Sequence, residues 1–100
     1  MKLRYTPAAI DDLQEIESYI RDTLQNPDAA DHIISAIATD CARLKDQPRL
    51  GPELRQKLQR EVDGRYLISG KYIVIYEIDE VISVQRVLDT RTDYMRLLFD

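Results

Sequence analysis

The hydrophobic positions form two stretches of helical spacing followed by three runs of strand spacing. Ala9, Leu13, Ile16, Ile20 and Leu24 recur every three or four residues and share one helix face, while Asp11, Asp12, Glu15 and Asp22 lie elsewhere around it. A second stripe runs through Ala30, Ile33, Ile34, Ile37, Ala38, Cys41 and Leu44. Each helix is predicted to open on the same punctuation. Thr6-Pro7 and Asn26-Pro27 put a side-chain oxygen at the N-cap and a proline at the first helical position, where its missing N–H costs nothing. Two amphipathic helices joined by a tight break predict an antiparallel hairpin, and Lys2 to Tyr5 ahead of them reads as a brief strand.

From Tyr66 onward the period changes. Tyr72 to Ile78 (YIVIYEI) is apolar at nearly every position, as a strand reads when both its faces are buried, and it is assigned as the central strand. Ser69-Gly70 and Asp79-Glu80 fall where the short connections of antiparallel hairpins belong. Val81 to Leu88 makes a third run into which polar groups enter. Between the helices and these strands, Gln47 to Glu61 opens with proline and glycine and shows little apolar periodicity, which predicts a basic loop with at most a helical turn. The predicted fold is α+β: an N-terminal strand, a two-helix hairpin packed on a small, mostly antiparallel sheet, and a short C-terminal helix. One hundred residues is the size of a single domain over residues 1–100.

Composition narrows the chemistry. No run approaches the roughly 18 apolar residues of a membrane span, and the opening MKLRYTPAAIDD lacks a signal-peptide core, so no membrane partner and a cytoplasmic location are expected. The single cysteine, Cys41, lies on the second helical stripe and reads as a core residue; His32 reads as a surface histidine. Neither sits in a pattern for metal ligation, and no metal or cofactor is implied. Asp11, Asp12 and Glu15 read as helix-dipole and solubility residues. The net charge of −4 argues against non-specific nucleic-acid binding, but its distribution is uneven. Residues 1–48 hold 5 basic and 9 acidic groups, residues 49–72 hold 6 and 3, and residues 73–100 hold 3 and 6. The middle third therefore carries the positive charge, on Arg49, Arg55, Lys57, Arg60, Arg65 and Lys71, which can face an RNA backbone, an acidic protein or solvent.

The order of these parts, with the runs TPAAIDDLQEIESYI, LKDQPRLGPELR, YLISGKYIVIYEI and ISVQRVLDTRTDYMRLL, resembles the RelE/ParE superfamily of bacterial type II toxin–antitoxin toxins over essentially the whole chain. The resemblance implies a growth-inhibiting toxin of the plasmid-stabilisation kind, held by a cognate antitoxin as a homodimer or heterotetramer. RelE-like members cut messenger RNA on the ribosome, whereas ParE-like members poison DNA gyrase. Similar members end in an Arg-Val-Leu-His-x-Arg-Arg-Asp-Tyr pattern. Arg86, Arg91 and Tyr94 match it, but Asp89 stands where His is usual, Thr92 replaces an Arg, and Ile73 occupies a position near which RelE-like nucleases carry an arginine.

RNA cleavage by a 2′-hydroxyl needs a base, an acid and cations for the developing phosphorane charge. In a nuclease, Asp89 would serve as base, Tyr94 as acid, and Arg86 and Arg91 as charge stabilisers, helped by Lys57 and Arg60. A carboxylate beside a phosphodiester is repelled by it. The competing expectation is that Asp89 pairs with Arg91 or Arg86, or caps the final helix. These departures and the acidic balance favour a ParE-like gyrase inhibitor. The alternatives are a ribosome-dependent endoribonuclease acting on mRNA, and a non-toxic antitoxin-binding module.

Overall fold

The computed structural model describes residues 1–99. A short strand, β1 (Leu3–Tyr5), leads into α1 (Pro7–Ser18), which continues as a π-helical turn over Tyr19–Thr23. Next come α2 (Pro27–Ala42) with a 3₁₀ turn at Arg43–Lys45, and the short α3 (Leu54–Leu58). Strands β2 (Arg65–Ser69), β3 (Tyr72–Ile78) and β4 (Ile82–Asp89) precede α4 (Tyr94–Phe99). The strand order is β1-β4-β3-β2, with β1 parallel to β4 and the remaining pairs antiparallel.

Both helix openings form as their residues dictate. The Thr6 hydroxyl accepts the Ala9 N–H at 3.2 Å, and the Asn26 side-chain oxygen accepts the Ala29 N–H at 3.1 Å. Pro7 and Pro27 follow in the first turn. The break between the helices is wider than a simple turn. The Leu24 N–H reaches back five residues to the Tyr19 carbonyl, and Gln25 takes a left-handed φ of 52° before Asn26 starts the next helix.

The hairpin covers one sheet face. Ala9, Ile37 and Cys41 meet Tyr72, Val74, Val84 and Val87, with Leu13, Ile16 and Ile33 at the margin. The opposite face is also covered: Leu54 packs with Ile73, Ile75 and Leu88, joined by Leu58, Val62, Tyr66, Tyr94 and Leu98. This double cover explains why β3 reads as a continuous apolar run. A bulge in β4 keeps the pattern consistent. Ile75 pairs with Arg86 and Tyr76 with Val84, so Gln85 is the extra residue, and Val84 and Val87 face the same core although they are three positions apart.

Two residues on the predicted helical stripes lie outside the core. Leu24 is 54% exposed because it follows the π turn, and Ala38 is exposed on the outer side of α2. Cys41 is fully buried and His32 is exposed, as read from the sequence. Among the described residues no helix is long and apolar enough to cross a membrane.

Candidate functional site

Strand β4 leaves the sheet at Asp89, and the four residues singled out there go to different surroundings. Arg86 turns toward α1. Its Nε and one terminal nitrogen donate to the two Asp12 carboxylate oxygens at 2.8 and 3.0 Å. The same carboxylate accepts the Val87 backbone N–H at 2.9 Å. The topology explains this need. β1 ends at Tyr5, so beyond Val84 no strand flanks that edge of β4, and Thr6 with α1 supplies the hydrogen-bond partners in its place. The Thr6 N–H donates to the Val84 carbonyl, the Thr6 hydroxyl to the Gln85 carbonyl, and Asp12 takes the next N–H.

Asp12 is therefore not the solvated dipole residue that its neighbours suggested. It lies beyond the first turn of α1, buried, and is committed to the edge of β4. The bidentate hydrogen bonds from Asp12 push the Arg86 pKa up, against the opposing effect of burial. A guanidinium held this way closes a structural junction.

Asp89 and Arg91 form a second pair. The Asp89 carboxylate accepts the Arg91 backbone N–H at 2.8 Å, Nε at 3.2 Å and a terminal nitrogen at 2.9 Å. The Thr92 hydroxyl and N–H both return to the Asp89 carbonyl. Across the sheet Asp89 sits opposite Tyr72 in register, and the Thr90 N–H and hydroxyl both donate to the Lys71 carbonyl, at 2.8 and 2.9 Å. This is a closed turn. The hydrogen bond from Arg91 holds the Asp89 pKa below the usual carboxylate range, with burial opposing it and the Lys71 charge adding a little. Of the alternatives in the sequence, Asp89 takes Arg91, and α4 begins at Tyr94 without it.

Tyr94 is not beside this pair. It is half-buried in the apolar cluster of Leu54, Ile73, Ile75 and Leu88 on the other sheet face, in the apolar setting for which Ile73 stands in place of a charge. The Arg86, Asp89, Arg91 and Tyr94 side chains thus point to three environments: a buried ion pair, an exposed ion pair and an apolar cluster.

The basic segment is tied down by its own groups. Tyr76 sends its hydroxyl from the sheet core to the Pro48 carbonyl at 2.8 Å and accepts the Gly51 N–H at 2.9 Å. Gly51 packs against the Tyr66 carbonyl so closely that a Cβ there would lie 2.0 Å from the oxygen, so only glycine fits. Arg65 donates to the Gly51 carbonyl at 2.7 Å and approaches Glu53, which Arg55 also contacts at 3.4 Å. Lys57 lies over the Tyr66 ring, 5.1 Å from its centre. Arg60 is exposed and engaged in an interaction of its own, and Lys71 is exposed at the β2–β3 turn. The sequence pointed to the charges. It did not show that Tyr76 and Gly51 fix the loop that carries them, since both look like ordinary strand and loop residues.

This arrangement defines a small α+β protein: a helical hairpin on a four-stranded mixed sheet, with a basic loop and a charged strand exit. The chain belongs to the ParE toxin family of type II toxin–antitoxin systems, parDE, whose model matches residues 3–94. Among solved structures it is similar to a chain of the chromosomal ParDE toxin–antitoxin system from P. aeruginosa. That similarity has a TM-score of 0.73 and 22% sequence identity, and it covers 89% of this chain and 95% of that one. Comparison with curated protein sequences gives no match. The protein is the toxin component of a type II system.

Proposed function

We propose that the protein acts in the cytoplasm by inhibiting DNA gyrase and is neutralised by a cognate antitoxin encoded beside it. The observation that carries this reading is the ParE family match over residues 3–94, because ParE-like members of the superfamily it resembles are gyrase poisons. The site geometry supports it by weakening the nuclease alternative. Acid–base cleavage of RNA needs its base, acid and cations around one phosphate. Here Arg86 is engaged by Asp12, Arg91 by Asp89, and Tyr94 is packed into the apolar cluster of Leu54, Ile73, Ile75 and Leu88. Target contacts are assigned to the exposed cations of the central third, Arg55, Lys57, Arg60 and Lys71, and to Arg91; Arg65 serves by holding the loop that presents the first three.

The test combines two assays with purified protein, namely gyrase supercoiling and primer extension on messenger RNA in translating ribosomes. The expected outcome is loss of supercoiling, relieved by the product of the neighbouring reading frame, with no new cuts in the messenger. A-site cuts with gyrase unaffected would overturn the proposal.

A further inference from the structure

We infer that the exit of β4 is a recognition site for a carboxylate side chain on a protein partner, with Arg91 as the anchor and Lys71 on the same turn. Asp89 grips Arg91 side-on, through Nε and one terminal nitrogen, and also through the Arg91 backbone N–H. That grip orients the fork and leaves its far edge outward. The Arg91 side chain is 71% exposed, while its partner Asp89 is only 22% exposed. An arginine edge fixed in this way is preorganised for a second, planar, bidentate acceptor, so little side-chain entropy remains to be lost on binding.

The surroundings select the ligand. Lys71 is tied to the same turn through the two hydrogen bonds that Thr90 makes to its carbonyl. Arg91 and Lys71 are balanced by Asp89 and by the exposed Asp93 two residues on, so the turn offers one oriented arginine edge and no surplus charge for a polyanion. A phosphodiester chain draws its affinity from several neutralised phosphates, and here a fixed carboxylate would stand among them. Tyr72 lies opposite Asp89 in the sheet, with its pKa raised first by burial and then by that carboxylate.

The inference rests on reading the protein as one that binds proteins and not RNA. It is tested by NMR titration of the whole chain, following the Arg91 Nε–H and Lys71 backbone N–H signals. Three probes are compared: a capped hexapeptide of alternating Leu and Glu, the same peptide with Gln for Glu, and hexauridylate. Both signals should shift with the Glu peptide alone. Arg91→Lys, which keeps the charge but loses the fork, should weaken binding at least tenfold. Equal binding of the Glu and Gln peptides, unchanged affinity in Arg91→Lys, or preferential shifts with hexauridylate would each overturn it. No gyrase is present in the titration, so its failure would leave the toxin reading to the supercoiling assay.

Discussion

Two aspartate–arginine pairs three residues apart on β4 use the same chemistry for opposite ends. Asp12–Arg86 is bidentate, has one partner buried, and shares its carboxylate with a backbone N–H that no strand satisfies. Asp89–Arg91 is also bidentate, but its arginine stands in solvent and its carboxylate closes a local turn. What separates them is what lies behind each carboxylate. Removing Asp12 would leave a partly buried guanidinium and an orphaned strand-edge N–H, whereas removing Asp89 would expose groups that water already reaches.

Asp12→Ala is therefore the most damaging change expected, at about 3 kcal/mol, which in a chain of this size lowers the thermal midpoint by more than ~10 °C. A calorimetric midpoint within two or three degrees of the parent would break the distinction between the pairs. Next comes the double change Asp12→Leu with Arg86→Met. Replacing both charges by apolar groups should recover most of the loss, yet a residue of about 1 kcal/mol should persist because the Val87 N–H still lacks its acceptor. Full recovery would remove the backbone from the account. Tyr76→Phe leaves the Pro48 carbonyl and the Gly51 N–H without the hydroxyl and should cost about 1–2 kcal/mol. Its more telling sign is faster proteolysis between Pro48 and Glu53, measured on the folded protein.

The smallest effect on stability belongs to Asp89→Asn, for which the midpoint should be indistinguishable from the parent at neutral pH. The pH dependence sharpens this. Arg91 depresses the Asp89 pKa in the folded chain, so whatever stability the pair adds is present above the unfolded value near 4 and fades as pH falls through the folded one. Carboxyl NMR should find the Asp89 titration midpoint below 3.8, the ordinary value, and moving up in Arg91→Ala. An unmoved midpoint would show that Arg91 is not the cause.

Much of the architecture could be read from spacing, because both helices and β3 carry patterns that their burial requires. Thr6-Pro7 and Asn26-Pro27 marked both helix starts, and the unbroken YIVIYEI run marked a strand covered on both faces. The candidate site was less legible. Asp12 belongs to a group of acidic residues that look alike in one dimension, and only the early end of β1 makes one of them an edge acceptor. Tyr94 matched a family pattern by position, but an apolar wall on the far sheet face determines where its ring goes. The π turn at Tyr19 was not legible in the hydrophobic period, because Leu24 keeps the four-residue spacing in the sequence and yet lies exposed past the widened turn.

The pairing of β1 with β4 also governs when this protein comes into being. Leu3 in β1 meets Ile82 at the start of β4, and the Asp12 contact spans 75 residues to Val87. A growing chain can close the helical hairpin early, but β3 has no inner neighbour and α1 no strand edge to satisfy until the β4 residues arrive. The sheet thus stays incomplete until β4 has been made. A message truncated before Ile82 would encode a chain unable to complete the fold, although it contained the whole basic loop.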